Sequence, residues 1–346
     1  MLKPTQPIAI YMEGFLDDRH GKMGHAVLRH SPNPVTCVID SRFAGRDVRE
    51  IVPVPRSCPV VASVAEAAAA RPRPEALLLG IAPSGGRVPP EWLRDLDEAV
   101  RLGMSIVNGL HDLLAGRYPH LPAGQWVWDI RREPDGIGVG TGAARGLGNR
   151  RVAVLGTDMA TGKMTAALEL HRAAERRGLR SRFLATGQVG IVISGSGLAL
   201  DAVRIDYAVG AVEKMVLDAA DADVVFLEGQ GSILHPGSSA TLPLIRGLCP
   251  THLLLCHRAG NPTAGQDWAK IPPLSRVVRL YEDIAECCGM HPRPRTIGVA
   301  LNTVGLSEAE ARQHVARAGA ETGLPATDVV RFGCENLMDV LLGGSA

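Results

Sequence analysis

Residues 156–165 of this 346-residue chain read Gly-Thr-Asp-Met-Ala-Thr-Gly-Lys-Met-Thr, and they carry the clearest chemical signal in the sequence. A segment that starts at a glycine after an apolar run and ends in Gly-Lys before an amphipathic stretch indicates a phosphate-binding loop of the G-x-x-x-x-G-K type. Backbone N–H groups and the amino end of a helix then surround phosphate oxygens, and the lysine adds a positive charge. We predict a phosphate site formed by Gly156, Thr157, Asp158, Ala160, Thr161, Gly162, Lys163, Met164 and Thr165.

The residue after the lysine departs from the usual pattern. That position normally holds Ser or Thr, whose hydroxyl binds Mg²⁺, but here it is Met164 and Thr165 comes one place later. On a helix, Thr165 points about 100° away from the direction of residue 164. This favours a ligand whose phosphates are held and not broken, such as coenzyme A with its pyrophosphate and 3′-phosphate.

Further polar residues follow predicted strands. Glu228 ends the apolar run 221–228 and could act as a general base, hold a metal, or merely cap the next helix. His235 lies on the same loop, and His257 closes the run 251–257. Because ligands bind at the carboxyl ends of parallel strands, we take Glu228, His235 and His257 as the candidate catalytic residues, with no metal assigned.

The candidate substrate ligands are more dispersed. The segment 186–216 is rich in glycine, which indicates a backbone shaped around a ligand. Arg204 could pair with a substrate carboxylate through two hydrogen bonds, but a surface ion pair explains it equally well. Asp206 could orient a substrate group, but it could equally cap the helix that follows. Asn302 and Thr303 end another apolar run, where they either contact a ligand or open a loop. The candidate substrate-binding residues are Gln188, Ser194, Arg204, Asp206, Gln230 and Arg258.

The elements that must position these residues alternate between apolar runs and helix-length stretches. This alternation is typical of an α/β protein with parallel sheets. We predict a Rossmann-like N-terminal domain over 1–133, a glycine-rich linker over 134–149 and a P-loop C-terminal domain over 150–346. Gly138 and Gly140 resemble part of a dinucleotide fingerprint but lack a preceding strand, which favours the linker. Strands are expected near 7–12, 35–40, 76–82, 104–110, 150–156, 180–187, 221–231, 251–260 and 295–303.

Composition limits the function classes. Lys and Arg number 37 and Asp and Glu 36, so a net charge of +1 argues against a nucleic-acid partner. Aromatic residues at 4% argue against a platform for stacked bases. No run approaches the ~20 apolar residues of a membrane span. Seven cysteines without a C-x-x-C pair indicate free thiols, and hence a cytoplasmic protein.

Four segments together resemble a known family. They are GTDMATGKMTAALEL, TGQVGIVISGSGLALDAV, LEGQGSILHP and IGVALNT. The chain resembles the D-glutamate N-acetyltransferases, bacterial P-loop proteins formerly of unknown function, over nearly its whole length and most strongly over 150–305. The resemblance implies a Rossmann-like domain followed by a P-loop domain similar to dethiobiotin synthetase. In that family Met at the position of Met164 is part of the pattern.

The resemblance also implies an activity. An acetyl group would pass from acetyl-CoA to the amino group of D-glutamate, and an epimerase resembling the dipeptide epimerases would then give the L form. The phosphate loop would bind the acyl-CoA donor, Glu228 or His235 would act as base, and Arg204 or Arg258 would hold substrate carboxylates. A homo-oligomer is expected from the general frequency of symmetric assemblies.

Two other interpretations stay open at this point. In the first, the loop and Glu228 hold Mg-ATP in a ligase or kinase of the dethiobiotin synthetase type, against which the late Thr165 counts. In the second, the chain is a nucleotide-binding switch, since P-loop folds also serve that role. Thermal stabilisation of the protein by coenzyme A compounds would support the acetyltransferase, and stabilisation by Mg-ATP alone would support a ligase or a switch.

Overall fold

The computed structural model describes residues 2–81, 85–286 and 291–343. By its contacts the chain divides into two compact units. The first contains Met1–Glu133 and Gln188–Ala202, and the second contains Pro134–Gly187 and Val203–Ala346. Residues 188–202 are predicted from the sequence to belong to the C-terminal domain, whereas their contacts group them with the first unit. Short glycine-rich segments give no sequence signal of which sheet they pack against.

The first unit is built on a six-stranded parallel sheet. Its elements are β1 (Ile8–Tyr11), α1 (Lys22–His30), β2 (Val35–Ile39), β3 (Val60–Val61), α2 (Val64–Ala69), β4 (Ala76–Leu79), α3 (Leu93–Arg101), β5 (Ser105–Asn108) and β6 (Val127–Asp129). The strand order β3-β2-β1-β4-β5-β6 is that of a Rossmann sheet. Its strands are apolar and buried because helices cover parallel sheets on both faces.

The acidic residue after β2, Asp40, has a structural role in this unit. In dinucleotide-binding proteins an acid near this point binds the ribose. Here Asp40 is fully buried, and its Oδ2 accepts hydrogen bonds from Leu16 N at 3.0 Å and from Arg42 Nη2 at 2.8 Å. Arg42 Nε also donates to Oδ1 at 3.0 Å. These internal partners occupy both oxygens, so Asp40 stabilises the loops around it.

The second unit contains a second six-stranded parallel sheet, of order β12-β11-β10-β7-β9-β8. In chain order the remaining elements are β7 (Arg150–Gly156), α4 (Lys163–Arg176), β8 (Ser181–Leu184), α5 (Gln188–Ser194, packed with the first unit), α6 (Ala208–Leu217), β9 (Val224–Glu228), α7 (Thr241–Leu248), β10 (His252–Arg258), α8 (Leu274–Glu286), β11 (Arg295–Asn302), α9 (Glu308–Thr322), β12 (Ala326–Thr327) and α10 (Glu335–Leu342).

All the predicted strands are present in the two sheets, and the three strands that were not predicted are short. β3, β6 and β12 have two or three residues, too few to show an apolar period. Because all strands of the second sheet are parallel, β7, β9, β10 and β11 end at one edge. The phosphate loop, Glu228, Arg258 and Asn302 therefore share that edge.

The glycine-rich segment 134–149 is bound to α6. Thr141 N and Ala143 N donate to the carboxylate of Glu213 at 2.9 and 2.6 Å. A Cβ on Gly210 would lie 2.0 Å from the carbonyl oxygen of Gly138, so the two backbones touch. The segment is a fixed part of the second unit.

The cysteines within the described residues are free thiols, as predicted: Cys37, Cys58, Cys249, Cys256 and Cys334 are all buried. Cys287 and Cys288 lie outside the described residues. No helix among residues 2–81, 85–286 and 291–343 combines the length and the apolar character needed to cross a membrane.

Candidate functional site

The phosphate loop connects β7 to α4 and is one residue longer than the predicted pattern. Five residues, not four, separate Gly156 from Gly162. Two residues turn left-handed, Ala160 with φ 54° and Gly162 with φ 96°. For alanine this conformation costs about 1–2 kcal/mol, and such strain is typical of functional loops. No side chain caps the amino end of α4, so its first N–H groups stay open to an anion.

Lys163 lies buried against its own loop. Its Nζ donates to the carbonyl oxygen of Asp158 at 2.7 Å. Burial lowers the pKa of Lys163, although Glu228 and Asp158 act in the opposite direction. A Cβ on Gly229 would meet the carbonyl oxygen of Val154 at 2.0 Å and Cδ of Lys163 at 3.0 Å. The glycine after Glu228 is thus required for the lysine to reach the loop.

Asp158 joins the phosphate loop to the loop that follows β10. Its Oδ1 accepts from Met159 N at 2.7 Å, and its Oδ2 accepts from Gly265 N at 3.2 Å. Asn261 Nδ2 donates weakly to the same oxygen at 3.4 Å. His235 Nε2 lies 4.0 Å from Oδ1. This carboxylate organises the rim of the site, and its oxygens are largely taken by neighbouring donors.

Glu228 is almost completely buried at the end of β9, next to the phosphate loop. Its Oε2 accepts from Thr186 N at 3.2 Å and Gly187 N at 3.3 Å. Burial raises the pKa of Glu228 to about 7, although these N–H groups and the charge of Lys163 lower it. A carboxyl that titrates near neutral pH is suited to general-base work.

The two candidate histidines differ in their hydrogen bonds. His235 Nδ1 accepts from Gly237 N at 3.0 Å, so the proton of the neutral ring lies on Nε2. His235 is therefore arranged as a donor. His257 Nδ1 lies 2.9 Å from Oγ1 of Thr157 in the phosphate loop, and burial lowers the pKa of His257.

A tyrosine that no motif signalled connects two parts of the site. The Tyr281 hydroxyl donates to the carbonyl oxygen of Gly156 at 2.7 Å and accepts from Ile233 N at 3.2 Å. Tyr281 is 2% exposed. It ties the start of the phosphate loop to the 229–238 loop, a role that depends on tertiary packing alone.

A cavity of about 880 Å³ opens beside His257 at the ends of β10 and β11. Its walls include apolar Ile271, Leu274 and Leu301. His257 was predicted as a site residue, whereas the polar residues that α9 contributes were not, because they lie far along the chain. The polar lining residues are His257, Asn261, His314, Arg317 and Glu321.

Asn302 and Thr303 sit next to the amino end of α4. A Cβ on Gly162 would lie 3.7 Å from Cβ of Asn302. Thr303 donates from its backbone and its hydroxyl to Asp328, which holds the loops after β11 and β12 together. Val304 and Val330 on these loops are 69% and 67% exposed. They give this rim an apolar surface.

The other predicted residues are distributed more widely. Met164 and Thr165 lie half-buried in the first turn of α4, and Arg258 is exposed at the end of β10. Gln188 and Ser194 lie on α5, which groups with the first unit. The Ser194 hydroxyl bonds to the carbonyl oxygens of Gly190 and Ser196.

Three further candidate substrate residues have separate surroundings. The Arg204 guanidinium stacks over the ring of Tyr207, 4.8 Å from its centre. Asp206 lines a separate cavity with Arg145, Arg246 and His291. Gln230 lies beside Gly187, where a Cβ would be 2.2 Å from its Nε2, so it belongs to the surroundings of Glu228.

Comparison with known proteins identifies the family. A Rossmann-like domain of unknown function, DUF1611_N, matches residues 41–133, and a P-loop domain of unknown function, DUF1611_C, matches residues 138–338. The chain belongs to the DUF1611 family. Both matches confirm the predicted fold of a Rossmann-like domain followed by a P-loop domain.

Relatives of this DUF1611 protein are similar over most of its length. A DUF1611 family protein of known crystal structure from Anabaena variabilis ATCC 29413 is 49% identical and covers 98% of this chain and 99% of its own, with a TM-score of 0.93. A D-glutamate N-acetyltransferase from Tritonibacter scottomollicae is 34% identical over 77% of this chain and 80% of its own. One from Pseudoalteromonas sp. is 34% identical over 75% and 79%. The resemblance predicted from the four motifs is confirmed.

Proposed function

We propose that this DUF1611 protein is an acyltransferase that moves the acetyl group of acetyl-CoA to the α-amino group of D-glutamate. The observation that carries the proposal is the 34% identity to two proteins named D-glutamate N-acetyltransferase, over at least 75% of this chain. A P-loop domain alone fixes a fold and not an activity. The chemistry of the residues at the loop edge supports this activity in three respects.

The first is the binding of the donor. The uncapped amino end of α4 and the positive charge of Lys163 suit the phosphates of coenzyme A. Met164 supplies no hydroxyl for Mg²⁺ where phosphate-cleaving enzymes have Ser or Thr. The loop therefore anchors phosphates that take no part in the reaction.

The second is the deprotonation of the acceptor. The α-ammonium must lose a proton before its nitrogen attacks the thioester carbonyl carbon. Glu228, with a pKa raised to about 7, accepts that proton as its carboxylate. The new C–N bond forms, the C–S bond breaks, and the second proton leaving the nitrogen balances the one that the thiolate of coenzyme A takes up as it leaves. His235, with its proton on Nε2, is a donor for the oxyanion that develops on the carbonyl oxygen.

The third is the direction in which the donor lies. In the sheet, β9 with Glu228 lies on one side of β7, and β10 and β11 with the cavity lie on the other. The cavity has apolar walls and includes Arg317, which suits an adenosine with a 3′-phosphate. We place the nucleotide end of the donor on the cavity side and the thioester on the Glu228 side. Arg258, Gln230, Gln188, Ser194 and Arg204 stay candidate ligands of D-glutamate.

The test combines binding and turnover. Thermal unfolding is measured with coenzyme A, acetyl-CoA, Mg-ATP and no ligand, because a ligand at 100 times its Kd adds about 2.7 kcal/mol of stability. Release of free thiol from acetyl-CoA is then measured with D-glutamate and with L-glutamate. We expect stabilisation by the coenzyme A compounds and thiol release that requires D-glutamate. Stabilisation by Mg-ATP alone would refute the proposal and favour the ligase or switch interpretation.

Three further parts of this proposal rest on the resemblance, on the free thiols and on the general frequency of symmetric assemblies, respectively. We infer that an epimerase consumes the N-acetyl-D-glutamate, that the protein is cytoplasmic, and that it forms a homo-oligomer. Size-exclusion chromatography with light scattering tests the last of these. A coupled assay with a candidate epimerase tests the first.

A further inference from the structure

Two adjoining cavities lie at the edge of the second sheet opposite to the phosphate loop. Their volumes are about 520 and 260 Å³, and both are lined by Arg145 and His291. The smaller one also touches Arg151 and Thr251, which lie at the starts of β7 and β10. Because the strands are parallel, these starts form the amino edge of the sheet. Nothing in the proposed acetyl transfer uses this place.

The lining carries more positive than negative charge. Arg145 and Arg246 are exposed, and neither guanidinium forms an ion pair or a side-chain hydrogen bond with the described residues. Arg151 is buried, and its Nε donates to the carbonyl oxygens of Leu248 and Cys249 at 3.1 and 2.9 Å. The lining contains the carboxylate of Asp206, and the buried carboxylate of Glu213 lies directly behind it, where it accepts from Thr141 N. Arg293 is already paired with Glu282, Asp283 and Glu286. Three arginines against these two carboxylates leave a net charge of about +1 to be balanced.

His291 gives the second, independent observation. It is 9% exposed, and its Nδ1 has no hydrogen-bond partner among the described residues. Its Nε2 lies 3.9 Å from Sγ of Cys249, whose thiol donates to the carbonyl oxygen of Arg246 at 3.3 Å. Burial without a partner disfavours the charged form of the ring unless an anion lies close to it. Both cavities have His291 in their walls, so a charge on the ring would lie beside a ligand bound there.

We propose that these two cavities form a second anion-binding site, for a small molecule that carries a carboxylate, phosphate or similar oxyanion group. Arg145 and Arg246 hold the oxyanion, and the His291 ring adds a positive charge beside it after taking up a proton. Asp206 accepts from any donor group that the same molecule carries. The site is independent of the proposed acetyl transfer.

Binding at this site is linked to the protonation of His291. Burial, together with Arg145 and Arg151, lowers the pKa of the free histidine, so the ring is neutral near pH 7. A bound anion opposes these effects and raises that pKa. Each unit of increase corresponds to about tenfold tighter binding to the protonated protein. The titratable and charged groups around His291 from the surrounding elements are Arg145, Arg151, Asp206, Glu213, Arg246, Cys249 and Arg293.

The experiment follows the His291 ring by NMR in protein labelled at histidine, with the signal assigned by its loss in His291→Gln. The pKa of His291 is measured alone, with sulfate, with glutarate, and with sodium chloride at matched ionic strength. Sulfate keeps its charge between about pH 5 and 8, which separates its binding from its own titration. We expect sulfate or glutarate to raise the pKa by about one unit or more, and chloride to leave it nearly unchanged.

Substitutions test whether Arg145 and Arg246 cause the ligand-dependent shift in the pKa of His291. Arg145→Met and Arg246→Met should each reduce the shift, whereas Arg279→Met, an exposed arginine on α8, should leave it intact. A shift with sulfate and not glutarate assigns the site to phosphate-like groups, and the converse assigns it to carboxylates. Equal shifts with chloride, or none with any probe, would overturn the proposal. Lys163→Met, which alters only the phosphate loop, should not change the His291 titration.

Discussion

Thr157 in the phosphate loop and His257 at the end of β10 are joined by a hydrogen bond of 2.9 Å between Oγ1 and Nδ1. Thr157 is fully buried, while His257 lines the cavity of about 880 Å³. The contact makes the loop and the cavity wall parts of one site. It also keeps the His257 ring in a fixed orientation, with its pKa lowered by burial.

Thr157→Val should weaken donor binding without changing the chemical step. It removes one hydrogen bond, of about 1 kcal/mol, which corresponds to roughly a fivefold increase in KM for acetyl-CoA. We expect kcat to stay within about twofold of the wild type, because valine preserves the shape of the side chain. Steady-state thiol release at saturating D-glutamate measures both constants. Thr263→Val, on the loop after β10, is the matched control, and a KM equal in both variants would contradict the role of this contact.

Glu228→Gln should remove the base. A positioned general base contributes about 10²–10⁴-fold to a rate, so kcat should fall within that range. In the wild type, kcat/KM should rise with pH and level off above about pH 7, where Glu228 is ionised. The variant should lose this ionisation from its pH profile. A profile that still bends near pH 7 in Glu228→Gln would assign the ionisation to another group.

The same substitution should increase stability at high pH. The folded-state pKa of Glu228 lies above its unfolded value of 4.5, so the folded protein binds the proton more tightly. Stability from this group is full below about pH 4.5 and is lost as pH rises through about 7. Glutamine does not ionise, so at pH 8 the free energy of unfolding of Glu228→Gln should exceed that of the wild type by at most about 3 kcal/mol. Thermal unfolding at pH 5 and pH 8 measures it, and a variant less stable than the wild type at pH 8 would contradict the buried-carboxylate interpretation.

Lys163→Met should weaken the binding of acetyl-CoA while the fold persists. Hydrogen bonds to charged groups contribute about 1.5–3 kcal/mol, which predicts a KM increase of about 10- to 100-fold. Burial lowers the pKa of Lys163, so an apolar chain of similar length removes a desolvation cost from the folded state. Lys214→Met is the control, since Lys214 pairs with Asp218 on the surface. An unchanged KM would show that the loop does not bind the donor.

Gly265→Ala and Gly260→Ala form a matched pair on one loop. Both glycines are left-handed, with φ 72° and 77°, so each alanine should cost about 1 kcal/mol of stability. A Cβ on Gly265 would lie 2.0 Å from Nε2 of His235, whereas a Cβ on Gly260 meets nothing within 4 Å. The His235 ring must then move in Gly265→Ala alone. If His235 stabilises the oxyanion, kcat should fall about tenfold or more in Gly265→Ala, because the ring is displaced. In Gly260→Ala the ring stays in place, and kcat should be unchanged.

Arg317→Met tests the direction of the donor. If Arg317 binds the 3′-phosphate, the wild type should prefer acetyl-CoA to its 3′-dephospho form by up to about tenfold, and the variant should lose the preference. Competition between the two donors in the thiol-release assay measures it. A preference that survives the substitution would place the nucleotide end elsewhere.

The sequence by itself determined the local elements and the phosphate loop. Apolar runs of four to seven residues predict buried parallel strands, and Gly162-Lys163 after such a run predicts a loop at a helix start, because both depend on neighbouring residues. The sequence could not show that Ala160 in this loop adopts the left-handed conformation, since composition does not fix it.

Only the tertiary structure decided which distant residues meet. Tyr281 reaches Gly156 across 125 positions, and α9 supplies Arg317 to the cavity beside His257. Asp206 was predicted as a substrate ligand, but packing places it with Arg145 and His291 at the other edge of the sheet. The tautomer of His235 and the raised pKa of Glu228 likewise follow from burial and from hydrogen bonds with particular neighbours. A residue's type sets what chemistry is available to it, whereas its surroundings in the folded chain set its charge and its partners.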